Sequence, residues 1–134
     1  MKRLFYTICF MLFLTSCEIF LDVKYVLCIE NKGDSNVCFL LNYNYPDTSL
    51  PQSKKYLRTL PVDRWERLAT SDKKWKKSFS KRFPSDTLHI FFFDPDTIKA
   101  YDWKTIVSDY KVMESRMYSR QDLEDFGWDT IIYP

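Results

Sequence analysis

Two aspartates that follow an apolar run are the closest pair of carboxylates that could act together on one bond. Asp94 and Asp96 come directly after residues 87–93, whose sequence TLHIFFF is typical of a buried strand. Glycoside hydrolysis needs two acids that flank the scissile bond, so a small hydrolase using this pair is one hypothesis. Calcium binding by the same loop is another. Asp-Pro-Asp-Thr is also ordinary composition for a turn that caps a helix, and we favour that interpretation.

Other groups that commonly do chemistry are sparse. His89 is the only histidine, and it lies inside the apolar run without the spacing of a catalytic triad or a histidine-based zinc site. We interpret it as a strand histidine with a local hydrogen bond. The two glycines, Gly33 and Gly127, both suit turns or helix ends, so the sequence has no glycine-rich phosphate loop. We therefore expect no catalytic residue, no metal and no cofactor.

Cys17 is the residue with the most specific chemistry. The chain starts with a basic Met-Lys-Arg, residues 4–14 are almost entirely apolar, and residues 14–17 have the Leu-Thr-Ser-Cys order of a bacterial lipobox. This apolar stretch suits a signal peptide, because a membrane-spanning helix needs about 20 apolar residues. The pattern predicts that residues 1–16 are removed and that lipid on Cys17 holds the protein on a membrane.

The residues around the predicted anchor indicate the membrane in which the protein is located and the domain boundaries of the chain. Glu18 is not the aspartate that marks inner-membrane retention in well-studied Gram-negative bacteria, so we expect the outer membrane, with either its periplasmic face or the cell surface left open. Residues 17–24 are predicted to be the lipidated cysteine and a short tether, and residues 25–134 a single globular domain. Because the protein is exported, we do not expect nucleic acid as a partner.

Charge is unevenly distributed along a chain whose net charge is only +2. Basic side chains are concentrated in residues 54–82, and the acidic ones prevail after that segment. Within it, Trp75, Phe79 and Phe83 are four residues apart, which predicts a basic amphipathic helix over residues 72–82. Such a helix can bind an anionic membrane or an acidic partner, although a solvated face is the plainer interpretation. Its candidate binding residues are Lys73, Lys74, Lys76, Lys77, Lys81 and Arg82.

Two cysteines remain after signal removal and lipidation. Cys28 and Cys38 lie in the β-rich runs 25–30 and 36–45, on either side of a turn-like stretch around Gly33. A hairpin centred on that glycine places the cysteines opposite each other, and an exported protein favours a disulfide between them. The alternative is two reduced, small apolar residues. The predicted core face of this hairpin contains Leu27, Ile29, Val37, Phe39, Leu41 and Tyr43.

The remaining elements alternate between strands and short helices. Residues 56–69 favour one or two strands broken at Pro61, and residues 87–93 favour a central strand because they are apolar on both faces. Two further strands are predicted over residues 111–118 and 128–133. Short helices are predicted near 72–82, 103–110 and 120–126. The sequence thus predicts a single α+β domain whose antiparallel sheet can form a sandwich.

The chain also resembles a known family. The matching pattern comprises Lys74-Trp75, Phe79, Ser85 to Leu88, Ile90 to Phe93, Asp96-Thr97, Tyr101 to Trp103, Ile106, Tyr110, Leu123, Trp128 and Tyr133-Pro134, with Asn42 to Thr48 nearer the start. In this order these residues resemble a family of small lipoproteins of Bacteroidota. The resemblance covers most of the mature chain and consists of packing and turn residues, so it implies a shared fold and origin and no particular activity.

The anchor and the missing catalytic constellation together predict a non-enzymatic cell-envelope lipoprotein. We expect a binding or interaction module at the outer membrane, with a protein or a glycan as its partner. Aromatic side chains make up 18% of the chain and can stack on sugars, which makes a glycan-binding face conceivable. The alternatives are a small envelope hydrolase using Asp94 and Asp96, and an inhibitor or immunity-type protective lipoprotein with a basic binding face.

Overall fold

Strands dominate the part of the chain that the structure describes. The computed structural model describes residues 27–68, 79, 81–83, 85–125 and 127–134. The elements in chain order are β1 (Cys28–Asn31), β2 (Val37–Asn42), β3 (Arg58–Leu60), β4 (Trp65–Arg67), β5 (Thr87–Phe93), α1 (Pro95–Ala100), α2 (Trp103–Ser108), β6 (Glu114–Ser119), α3 (Arg120–Asp125) and β7 (Thr130–Tyr133). The predicted signal peptide, Cys17, the tether, Trp75 and Lys73, Lys74, Lys76 and Lys77 lie outside the described residues.

The strands form two sheets. The first has the order β4-β1-β7 and the second the order β3-β2-β5-β6. All strand pairs are antiparallel except β1 with β7, which are parallel, so the smaller sheet is mixed. The predicted α+β single domain is confirmed, and residues 56–69 form two strands separated at Pro61, as expected. The strand over residues 87–93 lies inside its sheet between β2 and β6, as its two apolar faces predicted.

Two apolar layers hold the elements together. The inner layer contains side chains from both sheets, so the sheets face each other across it. The outer layer lies on the opposite face of the four-stranded sheet, under α1, α2 and the loop around Leu50. Because strand side chains alternate between faces, Phe92 belongs to the inner layer whereas Phe91 and Phe93 belong to the outer one. Burial on both faces explains why β2 and β5 are mostly apolar, with Asn42 and His89 as their buried polar residues.

The predicted hairpin around Gly33 is wrong, although the predicted core face is largely right. Strands β1 and β2 belong to different sheets. Leu27, Ile29 and the inward side chains of β2 do share the inner layer. Cys28 and Cys38 alternate with those core residues, so they lie on opposite outer faces of the sandwich, and no disulfide joins them. The expected disulfide is therefore not formed.

A buried asparagine explains why the chain changes sheets instead of folding back. The side chain of Asn31 donates hydrogen bonds to the carbonyl oxygens of Ser35 and Leu60 at 2.9 and 3.0 Å. Its Oδ1 accepts from the backbone N–H of Gly33 at 2.9 Å. Since Leu60 belongs to the other sheet, these bonds direct the connection across the sandwich. A buried amide needs such partners, and here they come from both sheets.

The helices predicted near 103–110 and 120–126 correspond to α2 and α3, with differences at their ends. Helix α2 ends at Ser108, two residues earlier than predicted, and Tyr110 adopts a positive φ of 49° and is half exposed. The capping box at α3 is present, because the Ser119 N–H donates to the Asp122 carboxylate and the Asp122 N–H donates to Ser119 Oγ. Phe79, Lys81 and Arg82 are helical, in agreement with the predicted helix over 72–82. Strand β7 begins at Thr130, later than predicted, because Trp128 has a left-handed φ of 57°.

Candidate functional site

An open cleft at the edge of the four-stranded sheet combines aromatic and basic side chains. Its volume is about 290 Å³, and it is lined by Leu41, Tyr43, Lys55, Tyr56 and Arg58. These residues come from the end of β2, the turn before β3 and the start of β3. Small-molecule sites in proteins begin at roughly this size, so the cleft can hold about one or two sugar-sized groups.

Tyr43 is held in place by buried aromatic rings. Its ring stacks on Phe83, with 5.0 Å between ring centroids and 18° between planes. Phe83 is buried and contacts buried Phe79 at 4.7 Å. Tyr43 itself remains 39% exposed, so one part of the ring packs on the core while another faces the cleft. This wall is therefore preorganised for stacking.

Tyr56 and Lys55 form the outer wall on a tight turn. The Leu57 N–H donates to the Lys54 carbonyl oxygen at 2.9 Å, which closes the turn, and Leu57 packs on the outer apolar layer. Tyr56 is 64% exposed, and Lys55 Nζ lies 5.3 Å from its ring centroid. Among the described residues Lys55 forms no ion pair. Its charge is thus available to an anionic ligand.

Arg58 contributes packing to the cleft and little net positive charge. The guanidinium group lies over the Phe39 ring at 4.8 Å and donates from Nη1 to Glu66 at 2.6 Å. Because Glu66 is on β4, this ion pair joins the edges of the two sheets. The pair largely neutralises Arg58, so Lys55 supplies most of the positive charge at the cleft.

A second cleft offers a useful contrast. Its volume is about 370 Å³, and its lining includes Asp94, Tyr101, Lys111 and Met113. Lys111 lies 4.4 Å from the Tyr101 ring centroid, as Lys55 lies over Tyr56, but Lys111 also pairs with Asp109 at 3.4 Å. With its lysine paired and a carboxylate in its lining, this second cleft is a poorer site for an anion.

The sequence did not single out the cleft residues, although Lys54-Lys55-Tyr56 was a usable signal. Two lysines next to a tyrosine in a loop indicate an exposed cation beside an aromatic ring. The cleft also includes Tyr43, which lies next to this loop because β2 pairs with β3, and local sequence patterns do not predict that pairing. Of the predicted basic face, Lys81 and Arg82 are exposed and directly precede Phe83, which stacks on Tyr43, but neither of the two lines the cleft.

Asp94 and Asp96 have structural partners. Asp94 is the N-cap of α1, and its carboxylate accepts from the backbone N–H groups of Asp96 and Thr97 and from the Thr97 hydroxyl. These bonds, led by the Asp96 N–H, hold the pKa of Asp94 below its usual value, which is unfavourable for a general acid. Asp96 pairs with Lys99 at 3.0 Å. This arrangement agrees with the capping interpretation.

His89 is buried in the outer layer near the cleft-bearing end of β5. It is 1% exposed, and its Nδ1 lies 3.5 Å from Asn42 Nδ2, at the limit of a hydrogen bond. Nε2 has no hydrogen-bond partner among the described residues. Burial lowers the pKa of the imidazole, so His89 is neutral near pH 7. Without access to solvent, it is not placed to act on a ligand.

The described residues also contain neither a candidate metal cluster nor a helix that could cross a membrane. Among the described residues, no cluster of three or more His, Cys, Asp or Glu side chains could hold a metal ion. No helix within the described ranges is both long and apolar enough to cross a membrane. The sequence matches no family model, no curated protein and no solved structure at a significant level. Fold and site together define a single α+β domain that carries an open, basic and aromatic cleft.

Proposed function

We propose that this protein is a lipid-anchored binding protein of the outer membrane and that its cleft binds an acidic saccharide. The anchor rests on the lipobox that ends at Cys17 and on the basic, short apolar segment before it. The proposal makes the protein a non-enzymatic binding module whose partner is a glycan. It applies equally to either face of the outer membrane.

The observation that carries the binding proposal is the joint placement in one cleft of two tyrosines and a lysine that forms no ion pair with any described residue. Sugar rings present apolar C–H faces that pack on aromatic rings, and Tyr43 and Tyr56 offer two such surfaces. Lys55 adds a cation that favours a carboxylate on the sugar, because a charge-assisted hydrogen bond is about twice as strong as a neutral one. A protein partner would need a larger surface than this cleft provides.

Titration of the mature protein with a soluble oligoglucuronide tests the proposal. We expect Tyr56→Ala and Lys55→Gln each to weaken binding about three- to tenfold, because each removes one of the two interactions. Both side chains are largely exposed, so these variants should keep the stability of the wild-type protein. Isothermal titration calorimetry gives the affinities, and thermal unfolding checks the fold.

The second cleft provides matched control variants. Tyr101→Ala and Lys111→Gln remove a similar tyrosine–lysine pair at a different place, so they should leave the affinity unchanged. If the wild-type protein shows no saturable binding of the oligoglucuronide, the proposal is wrong. Equal losses in the cleft variants and in the control variants would also contradict it.

A further inference from the structure

The cleft lies at the end of the domain where the chain arrives from Cys17. The first described residue, Leu27, enters β1, and its carbonyl oxygen accepts from the Leu68 N–H at 3.0 Å. At the same end the Cys28 N–H donates to the carbonyl oxygen of Asp129, which directly follows Trp128. The start of β1 and the start of β7 are therefore neighbours at this end.

A chain of aromatic contacts connects this end to the cleft. Trp128 contacts Phe79 with 5.3 Å between ring centroids, Phe79 contacts Phe83 at 4.7 Å, and Phe83 stacks on Tyr43 at 5.0 Å. The strand direction agrees with this placement. Strand β2 starts at the other end of the sandwich and runs towards Asn42, so Tyr43, the next residue, lies at the end where the chain arrives from Cys17. The second cleft lies at the far end, since Asp94 follows Phe93, which pairs with Cys38 near the start of β2.

The covalent distance to the anchor is short. Between Cys17 and Leu27 the chain can span at most about 35 Å when fully extended. Lipid on Cys17 would therefore hold the cleft-bearing end close to the bilayer. A ligand in the same membrane would then meet the cleft at a high effective concentration, of the order of millimolar for a short tether.

We propose that the cleft takes the acidic saccharide headgroup of a lipid in the membrane that carries the anchor. This inference rests on the proposed function, because it needs both lipid on Cys17 and saccharide binding. An open cleft with a single exposed lysine provides modest affinity for a free sugar. Tethering compensates for this, since binding to a neighbouring lipid is effectively intramolecular. The same sugar in solution would be bound only when it is abundant.

Amine reactivity of the acylated protein in vesicles tests this inference. The full mature protein is placed in phosphatidylcholine vesicles with or without glucuronosyl diacylglycerol and given a short pulse of a water-soluble amine-reactive ester. Peptide mass spectrometry then compares Lys55 with Lys111, which lies in the second cleft and serves as the internal control. We expect the lipid-linked glucuronide to slow modification of Lys55 about fivefold and to leave Lys111 unchanged.

Three further arms identify the cause of any protection. Diglucosyl diacylglycerol, which is neutral, and phosphatidylglycerol, which is anionic without a sugar ring, should each protect Lys55 less than the glucuronosyl lipid. Tyr56→Ala should reduce the protection to about twofold or less, whereas the control Tyr101→Ala should keep it. Equal protection by phosphatidylglycerol would overturn the inference, because the site would then respond to charge alone.

Free methyl glucuronide separates the two proposals. Added at high concentration to the protein in plain phosphatidylcholine vesicles, it should also protect Lys55. If the free sugar protects Lys55 but the lipid-linked sugar does not, the membrane inference is wrong and the proposed function stands. If neither protects it, the proposed function is wrong as well.

Discussion

His89 is the residue whose burial has the clearest consequence for the behaviour of the protein in solution. Its ring packs against Phe91, with 4.2 Å between centroids, and edge-on against Tyr45 at 6.4 Å. Asn42 is its cross-strand neighbour on β2 and Met117 its neighbour on β6. None of these described neighbours is an acid, so none of them compensates a positive charge on the ring.

The stability of the protein should therefore depend on pH through His89. Burial lowers the pKa of His89 in the folded state, so the unfolded chain takes up a proton at higher pH than the folded protein does. We expect the free energy of unfolding to be highest above the normal histidine pKa of about 6.5 and to fall as the pH is lowered towards 5. Urea unfolding at several pH values measures this change.

Replacing the histidine isolates its effect. His89 is the only histidine in the chain, so His89→Phe or His89→Gln should flatten the pH dependence between 7 and 5. Glutamine can keep the contact with Asn42, so the glutamine variant still provides the test if the phenylalanine variant does not fold. An equal fall in stability in both variants and the wild-type protein would contradict this account.

The two cysteines, which are not joined by a disulfide, give a second prediction at the residue scale. Cys28 is partly buried and Cys38 is 4% exposed. We expect iodoacetamide to modify Cys28 in the native protein, slowly near pH 7 and faster at higher pH, because desolvation raises the pKa of this thiol. Cys38 should react only after unfolding. A peptide pair joined through Cys28 and Cys38 in the unreduced protein would contradict the two-sheet arrangement.

At the scale of elements, caps and periodicity were predictable because their causes are local. The caps at Asp94, Asp102 and Ser119 each depend on residues within three positions in the chain. The pairing of strands was not predictable in the same way. Alternation in residues 25–45 correctly indicated which side chains face the core, but the same alternation fits a hairpin or two strands in facing sheets.

The cap of α1 gives a prediction at this scale. Asp94→Ala should lower the free energy of unfolding by about 1 kcal/mol, because three hydrogen bonds to the first turn are lost. Asp94→Asn should lower stability less, because asparagine is a good N-cap but its amide nitrogen cannot accept one of the bonds made by the carboxylate. Chemical denaturation measures both variants.

An exposed neighbour serves as the control for the cap. Asp96→Ala removes only the exposed pair with Lys99 and should change stability little. If the alanine variants at Asp94 and Asp96 were equally stable, the capping interpretation of Asp94 would fail.

At the scale of the whole molecule, the cleft arises from segments that are distant in the sequence. Tyr43 directly follows strand β2, Lys55 and Tyr56 lie on a turn, and Phe83 stacks on Tyr43. Only the pairing of β2 with β3 brings the first three together. The basic character of residues 54–82 was evident from the sequence, but the place where it meets exposed aromatic rings depended on the tertiary fold.

The central claim is that Lys55 makes the cleft selective for an acidic sugar. The most direct measurement compares the affinities of methyl glucuronide and methyl glucoside, which differ at C6 by a carboxylate, for the wild-type protein and for Lys55→Gln. We predict that the wild-type protein prefers the glucuronide about tenfold, which corresponds to about 1.4 kcal/mol, and that Lys55→Gln loses this preference. Equal affinities in the wild-type protein, or a preference that survives in Lys55→Gln, would contradict the account.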